Sequence, residues 1–150
     1  MIVFLDTNII LENVLGREDS VIAHELIESL KAQDARMYIS EGSFYTMIYL
    51  VDKFLRKQRE LSGNERISAL RVIMSNILID VEIVGRDKNE LLLGVSNLNF
   101  KDMEDSCQYQ AAKKAGCSVL ITFNTSDFLT ESDASLQVLT PQQYLIAFPS

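Results

Sequence analysis

Ile2-Val3-Phe4-Leu5-Asp6-Thr7-Asn8-Ile9-Ile10-Leu11 decides the reading of this chain. It opens with an unbroken apolar run carrying β-branched and aromatic residues, breaks to Asp-Thr-Asn, and turns apolar again with helical spacing. Such a run reads as a strand buried on both faces, the kind that parallel sheets use. Asp6 then falls where the strand ends. Open parallel α/β sheets bind ligands at the carboxyl ends of their strands, so a carboxylate there is placed for chemistry. The plainer alternative is that Asp6 or Thr7 only caps the helix that follows.

The 150 residues are expected to form one domain with a sizeable core. No apolar run approaches the ~20 residues of a membrane span. Met1 leads straight into the strand with no basic segment ahead of it, so no signal peptide is read and a cytoplasmic protein is expected. Cys107 and Cys117 lack both CxxC spacing and nearby histidines, so neither a zinc nor a redox motif is supported. The net charge of −7 disfavours binding duplex DNA by a basic face. It leaves room for a nuclease, whose metal site needs negative charge locally.

Outward from the first strand, the pattern alternates between helices and strands. Ile9, Ile10, Val14 and Leu15 mark a short helix that Gly16 ends, and Asp19 or Ser20 caps a second. Residues 37–39 read as a strand. Ser43 is expected to cap a long helix with Phe44, Met47, Ile48, Val51, Phe54 and Leu55 on one stripe. That helix ends in Arg56-Lys57-Gln58-Arg59, read as a solvated terminus, with a phosphate contact as the alternative. Asn64 is expected to cap the next helix, and residues 79–84 alternate like a half-exposed strand. Asp87 and Asp102 open two more helices, the second closing at Gly116. Ser118-Val119-Leu120-Ile121 is a second fully apolar strand, expected beside the first at the sheet centre. Val138-Leu139 is a last strand, and Pro141 begins a terminal helix. Alternating strands and helices imply βα units around a parallel sheet.

Acids recur at equivalent places in this scheme. Asp6 follows the first strand; Asp102, Glu104 and Asp105 open the helix before the second apolar strand; Asp127 follows that strand. Right-handed crossovers bring such loops to one edge. Converging carboxylates repel and need a cation, and all-oxygen ligands suit Mg²⁺ or Mn²⁺. Each acid also has a structural explanation. Asp102 is best read as a helix cap, Asp105 can be part of an acidic first turn, and Asp127 can be a turn residue. Asp105 is assigned to the site because it lies one turn further in. The lone His24 sits among Glu25 and Glu28 and reads as a solvated surface residue, which leaves no histidine-based nucleophile. No glycine-rich phosphate loop is present.

Taken together, these segments resemble the PIN-domain family, in the branch of small prokaryotic PilT N-terminus-like proteins that includes the VapC-type toxins. The matching features are the strand ending in Asp6-Thr7-Asn8 and the Lys101-Asp102-Met103-Glu104-Asp105-Ser106 helix entry. Ala115-Gly116-Cys117 and Ile121-Thr122-Phe123-Asn124-Thr125-Ser126-Asp127-Phe128 complete the set. The resemblance implies a three-layer α/β/α sandwich with a central parallel sheet and a metal-dependent endoribonuclease, the toxin half of a toxin–antitoxin pair. It implies that Asp6 and Asp105 ligate Mg²⁺ or Mn²⁺. Asp127, with Asn124 nearby, completes the acidic pocket, and Asn8, Thr122 and Asp102 support it. An RNA substrate, an antitoxin partner and a homodimer through the helices of residues 43–55 and 65–77 follow as expectations. One departure stands out. Many relatives carry a Glu on the helix after the second strand, and the matching position here is near Thr46; Phe123 also stands where an Arg is common. A fold that has kept its shape and lost catalysis, acting as a binding module, is therefore the rival reading. An α/β phosphatase is a third, weakened because Asn8 stands where a second Asp is usual.

Overall fold

The computed structural model describes residues 1–128 and 135–149. Its strands are β1 (Ile2–Leu5), β2 (Arg36–Ser40), β3 (Glu82–Val84), β4 (Val119–Ile121) and β5 (Gln137–Leu139). They form one sheet in the order β3-β2-β1-β4-β5, and every neighbouring pair is parallel. The two apolar strands are thus adjacent at the centre, with Val3 beside Val119 and Leu5 beside Ile121.

The helices are α1 (Thr7–Leu15), α2 (Ser20–Ala32), α3 (Glu41–Lys57), α4 (Gly63–Asp80), α5 (Lys88–Ser96), α6 (Met103–Lys114) and α7 (Pro141–Ala147). Strand side chains alternate between faces, and the core divides accordingly. Val3, Leu5, Val119 and Ile121 join a cluster with residues of α1, α2, α3, α4 and α7. Phe4 and Leu120 point the other way, to Tyr109, Ala111 and Ala112 of α6, with Phe100 and Phe128. Helices therefore cover both faces, giving the expected α/β/α sandwich. Gly94 lets α5 lie close on α6: a Cβ there would stand 2.7 Å from Cys107 Sγ, and Ser106 Oγ donates to the Gly94 carbonyl at 2.6 Å.

Three local expectations are corrected. The cap of α3 is Ser40, not Ser43: Ser40 Oγ accepts the Ser43 N–H at 2.9 Å, so the helix begins three residues earlier. The cap position of α4 is Ser62 rather than Asn64. The alternation over residues 79–84 is strand only from Glu82; α4 continues to Asp80, because Met74 and Ile77 bury on helical spacing and hold that segment in the helix. Asp87, Asp102 and Gly16 stand at their expected helix ends, Gly16 with the left-handed φ of 62° that favours glycine. No helix among the described residues is long and apolar enough to cross a membrane.

Candidate functional site

The strand order fixes where a site belongs. The chain builds from β1 outward through β2 and β3, then returns to add β4 and β5 on the other side of β1. The reversal lies between β1 and β4, and crevices at such reversals bind ligands. Asp6 and Thr122 are the first residues past those two strands. The Asp6 N–H donates to the Ile121 carbonyl and the Thr122 N–H to the Leu139 carbonyl, both at 3.0 Å, so the sheet itself fixes the two backbones.

Asp6 is 5% exposed. Thr122 Oγ1, wholly buried, donates to Asp6 Oδ2 at 2.8 Å and accepts the Asn124 N–H at 3.0 Å. Asn124 Nδ2 donates to Asp127 Oδ2, and Ser126 Oγ donates to Asn124 Oδ1 at 2.8 Å. One run of hydrogen bonds thus ties the end of β1 to the loop after β4. From below, Gln108 on α6 hydrogen-bonds the Asp6 carboxylate. Gln108 is 3% exposed, and its Oε1 has no partner. Asp6 occupies the cap position of α1 with extended backbone; no cap bond of good geometry forms, and the Thr7 and Asn8 N–H groups only assist a carboxylate that Thr122 and Gln108 also hold.

Asp102 does cap. Its Oδ1 accepts the N–H groups of Glu104 at 2.8 Å and Asp105 at 3.1 Å, which sets the entry of α6 and the direction of Asp105. A pocket of about 260 Å³ opens between these elements. Asp6 and Asn8 line it from α1's start, Asp102, Asp105 and Gln108 from α6, Asn124 and Asp127 from the loop after β4, and Thr46 from α3. Thr122 lies beneath it and reaches it through Asp6. All the predicted site residues are thereby gathered at one edge.

The electrostatics follow from that crowding. Burial pushes the Asp6 carboxyl above the usual range, against the pull of Thr122, Gln108 and the Thr7 and Asn8 backbones. Asp105 is pushed up to about 7, first by burial, then by the charges of Asp6, Asp102, Asp127 and Glu104. Glu104 is raised too, by burial, Asp102 and Asp6, with Arg86 opposing. Carboxyls that raise one another in this way leave a site short of positive charge. Among the described residues, no three acidic, thiol or imidazole side chains stand in a ready-made cation cage. The donors facing the pocket are nonetheless all oxygens, and the orphaned Gln108 Oε1 is a further buried acceptor. That set suits a hard cation that keeps several waters, as Mg²⁺ does.

Of the polar lining residues, Gln108 escaped the sequence reading, and Glu104 was read among the acids but not assigned to the site. Gln108 lies three residues beyond Asp105, on the same face of α6; its spacing carried the signal, though a lone Gln on a helix reads as solvent-facing. Glu104 also lines the pocket. The α3 acid is absent, as the departure at Thr46 indicated. Glu41, the nearest acid, does not substitute for it: it accepts from Tyr45 Oη at 3.5 Å, lies by Gly85, and is not part of the pocket wall.

A parallel α/β/α domain with an acid-lined pocket at its switch point is the class that this geometry defines. The chain belongs to the PIN domain family, whose model matches residues 2–126. It is similar to ribonuclease VapC1 of Aquifex aeolicus (strain VF5), at 27% identity over 149 residues that cover 95% of this chain and 92% of the relative. Among solved structures it resembles a chain of VapBC2 from Rickettsia felis, crystallised bound to a DNA fragment from their promoter. There the TM-score is 0.66 at 18% identity, covering 93% of this chain and 98% of that one. A chain of VapBC-1 from nontypeable Haemophilus influenzae also gives 0.66, at 20% identity, covering 95% and 99%. Both likenesses bear on the fold.

Proposed function

We propose that this chain is a divalent-metal-dependent endoribonuclease and the toxin of a toxin–antitoxin pair. The observation that carries the reading is the gathering of Asp6, Asp105 and Asp127 around one pocket at the β1/β4 switch point. The similarity to a VapC ribonuclease and to chains from VapBC complexes supports the substrate class and the antitoxin partner. Asp6, Asp105 and Asp127 would hold Mg²⁺ or Mn²⁺, which when bound activates water and offsets charge on a phosphoryl group.

The chain's own groups prepare that site. Thr122 orients Asp6 and keeps one of its oxygens occupied. Asn124 holds Asp127, and the Asp102 cap aims Asp105. The phosphodiester would be cut by water, with no covalent bond to the protein: among the described residues the pocket offers no histidine or cysteine as nucleophile.

Two further parts of the reading concern assembly and place. A cytoplasmic homodimer is the proposed state. Tyr45 and Tyr49 on α3 and Val72 and Ile79 on α4 are all more than half exposed, an apolar surface of the kind that marks contacts between chains. Light scattering at tens of micromolar should give twice the 17.0 kDa chain mass; a monomer there would remove the dimer from the proposal.

The test of the enzyme reading is cleavage of a mixed-sequence single-stranded RNA with Mn²⁺ or Mg²⁺, with EDTA as control. Metal-dependent cleavage that Asp6→Asn abolishes is the expected result. The second reading is a PIN fold that binds without cutting, and the absent acid at Thr46 favours it. An inactive wild type on varied RNAs with both metals would hand the assignment to that reading.

A further inference from the structure

A second groove adjoins the acidic pocket, and its lining has the opposite charge. Its volume is about 320 Å³, and Arg17, Lys53 and Lys57 line it together with Leu15, Leu50 and Phe54. Leu50 belongs to the walls of both. The link is a helix face. Thr46, Leu50, Lys53 and Lys57 follow one another on α3 at steps of four, three and four residues, which puts them on one stripe. At 1.5 Å per residue, the stripe runs about 16 Å from the acids at Thr46 to the basic end at Lys57.

The cations of that groove are available. Lys53 and Lys57 are exposed and have no ion-pair partner among the described residues. Arg56, one residue from Lys57, is by contrast engaged by Asp52 at 3.7 Å. Arg17 is steadied by Glu12 at 3.1 Å while remaining about half exposed. Arg59 lies over the Phe54 ring, 5.6 Å from its centroid, and brings a further cation to the groove's side. In a chain of net charge −7, general attraction cannot hold a polyanion. Positive charge must be concentrated where the polyanion runs.

We propose that the Arg17–Lys53–Lys57 groove is the track for the RNA backbone on one side of the cut phosphodiester, with Leu50 as the saddle between track and acidic pocket. The inference rests on the ribonuclease reading and adds to it a direction: the strand lies along α3 and reaches the acids past Thr46. Such a track contacts phosphates and is indifferent to base identity. It also gives α3 a part in substrate binding although it contributes no acid.

The experiment uses the full chain with Lys53→Ala, Lys57→Ala and the double variant, and with Lys88→Ala as a basic control outside the groove. Binding is read by anisotropy of labelled single-stranded RNAs of several sequences, in an Asp6→Asn background that blocks cutting, across a range of salt. Each groove variant should weaken binding equally for all the RNAs and flatten the dependence of log K on log salt by roughly 0.7 per lost phosphate contact. In cleavage assays the groove variants should raise KM and leave kcat in place, with melting temperatures unchanged. Lys88→Ala should do neither. A wild type that binds and cuts RNA, beside groove variants with the same affinity and salt slope, would overturn the track; a groove built for an acidic peptide would give that result. A wild type that neither binds nor cuts RNA would overturn the ribonuclease reading, and the track with it.

Discussion

Thr122 Oγ1 sits 2.8 Å from Asp6 Oδ2 and donates its hydrogen bond to that carboxylate while accepting the Asn124 N–H. The hydroxyl is both donor and acceptor, so one buried side chain couples the end of β1 to the loop after β4. Thr122→Val keeps the shape and removes both bonds. It should destabilise the fold by about 1–3 kcal/mol, since the Asn124 N–H and a buried carboxylate lose their partner. Thr122→Ser should recover most of that. Urea denaturation of the three proteins is the measurement, and a Val variant as stable as wild type would show that the coupling contributes nothing.

The crowded carboxyls set a pH dependence whose sign is fixed. The Asp105 carboxyl stands at about 7 in the folded chain against an ordinary value of 3.8. Between those values the unfolded chain has lost this proton and the folded chain has kept it, so stability falls as pH rises and levels off above about 7. Asp6 and Glu104 are shifted the same way. Melting temperature without divalent metal should therefore decline from mildly acid to neutral pH, and Asp105→Asn should flatten the decline. A variant whose pH profile overlays the wild-type curve would contradict this account of Asp105.

The close approach at Gly94 predicts a mechanical link from α5 to the pocket. Alanine there gains helix propensity of up to about 1 kcal/mol, but its Cβ would meet Cys107 Sγ at 2.7 Å and the Cys107 Cα at 3.2 Å. The second contact is backbone and cannot rotate away. Overpacking of this kind typically costs 1–3 kcal/mol, so Gly94→Ala should lower the melting temperature. Pairing it with Cys107→Ala should restore part of the loss, because only the sulfur contact is relieved. Because Cys107 lies between Asp105 and Gln108 on α6, the single variant should also reduce RNA cleavage.

How much of this was legible in the sequence depends on which residues carried the signal. The two apolar runs ending at Leu5 and Ile121 revealed the sheet centre, because only strands covered on both faces read that way. Once those strands are parallel neighbours, Asp6 and Thr122 must share an edge, and the site follows. Cap and strand boundaries were less legible. Ser40 and Ser43 are both good caps, and the first is used, its hydroxyl accepting the Ser43 N–H. Residues 79–84 satisfy a strand pattern, while Met74 and Ile77 hold their first part in helix. The excess of acid at the pocket was legible from the recurring carboxylates, but the inward turn of Gln108 was not, since it depends on how α6 enters from its Asp102 cap.

Gln108 offers the sharpest separation of structure from function. Its buried amide bonds Asp6 on one side and leaves Oε1 without a partner on the other. Gln108→Leu removes both halves. The lost bond to a charged partner costs roughly 1.5–3 kcal/mol, and the removed orphan returns roughly 1–3 kcal/mol, so stability should change little. Divalent-metal affinity should not be spared. A group that orients a metal-binding carboxylate typically contributes about 10–100-fold in affinity or activity, and Asp6 would lose the amide that steadies it. Calorimetric titration with Mn²⁺ should show that weakening beside a near-normal melting curve. Gln108→Glu should act oppositely in the two measurements. Placing a further carboxylate against Asp6 should lower the melting temperature without metal, and the same added charge should make Mn²⁺ raise it by more than in wild type. If Gln108→Leu binds Mn²⁺ as wild type does, Gln108 is a core residue and Asp6 is positioned without it, by Thr122 and the start of α1.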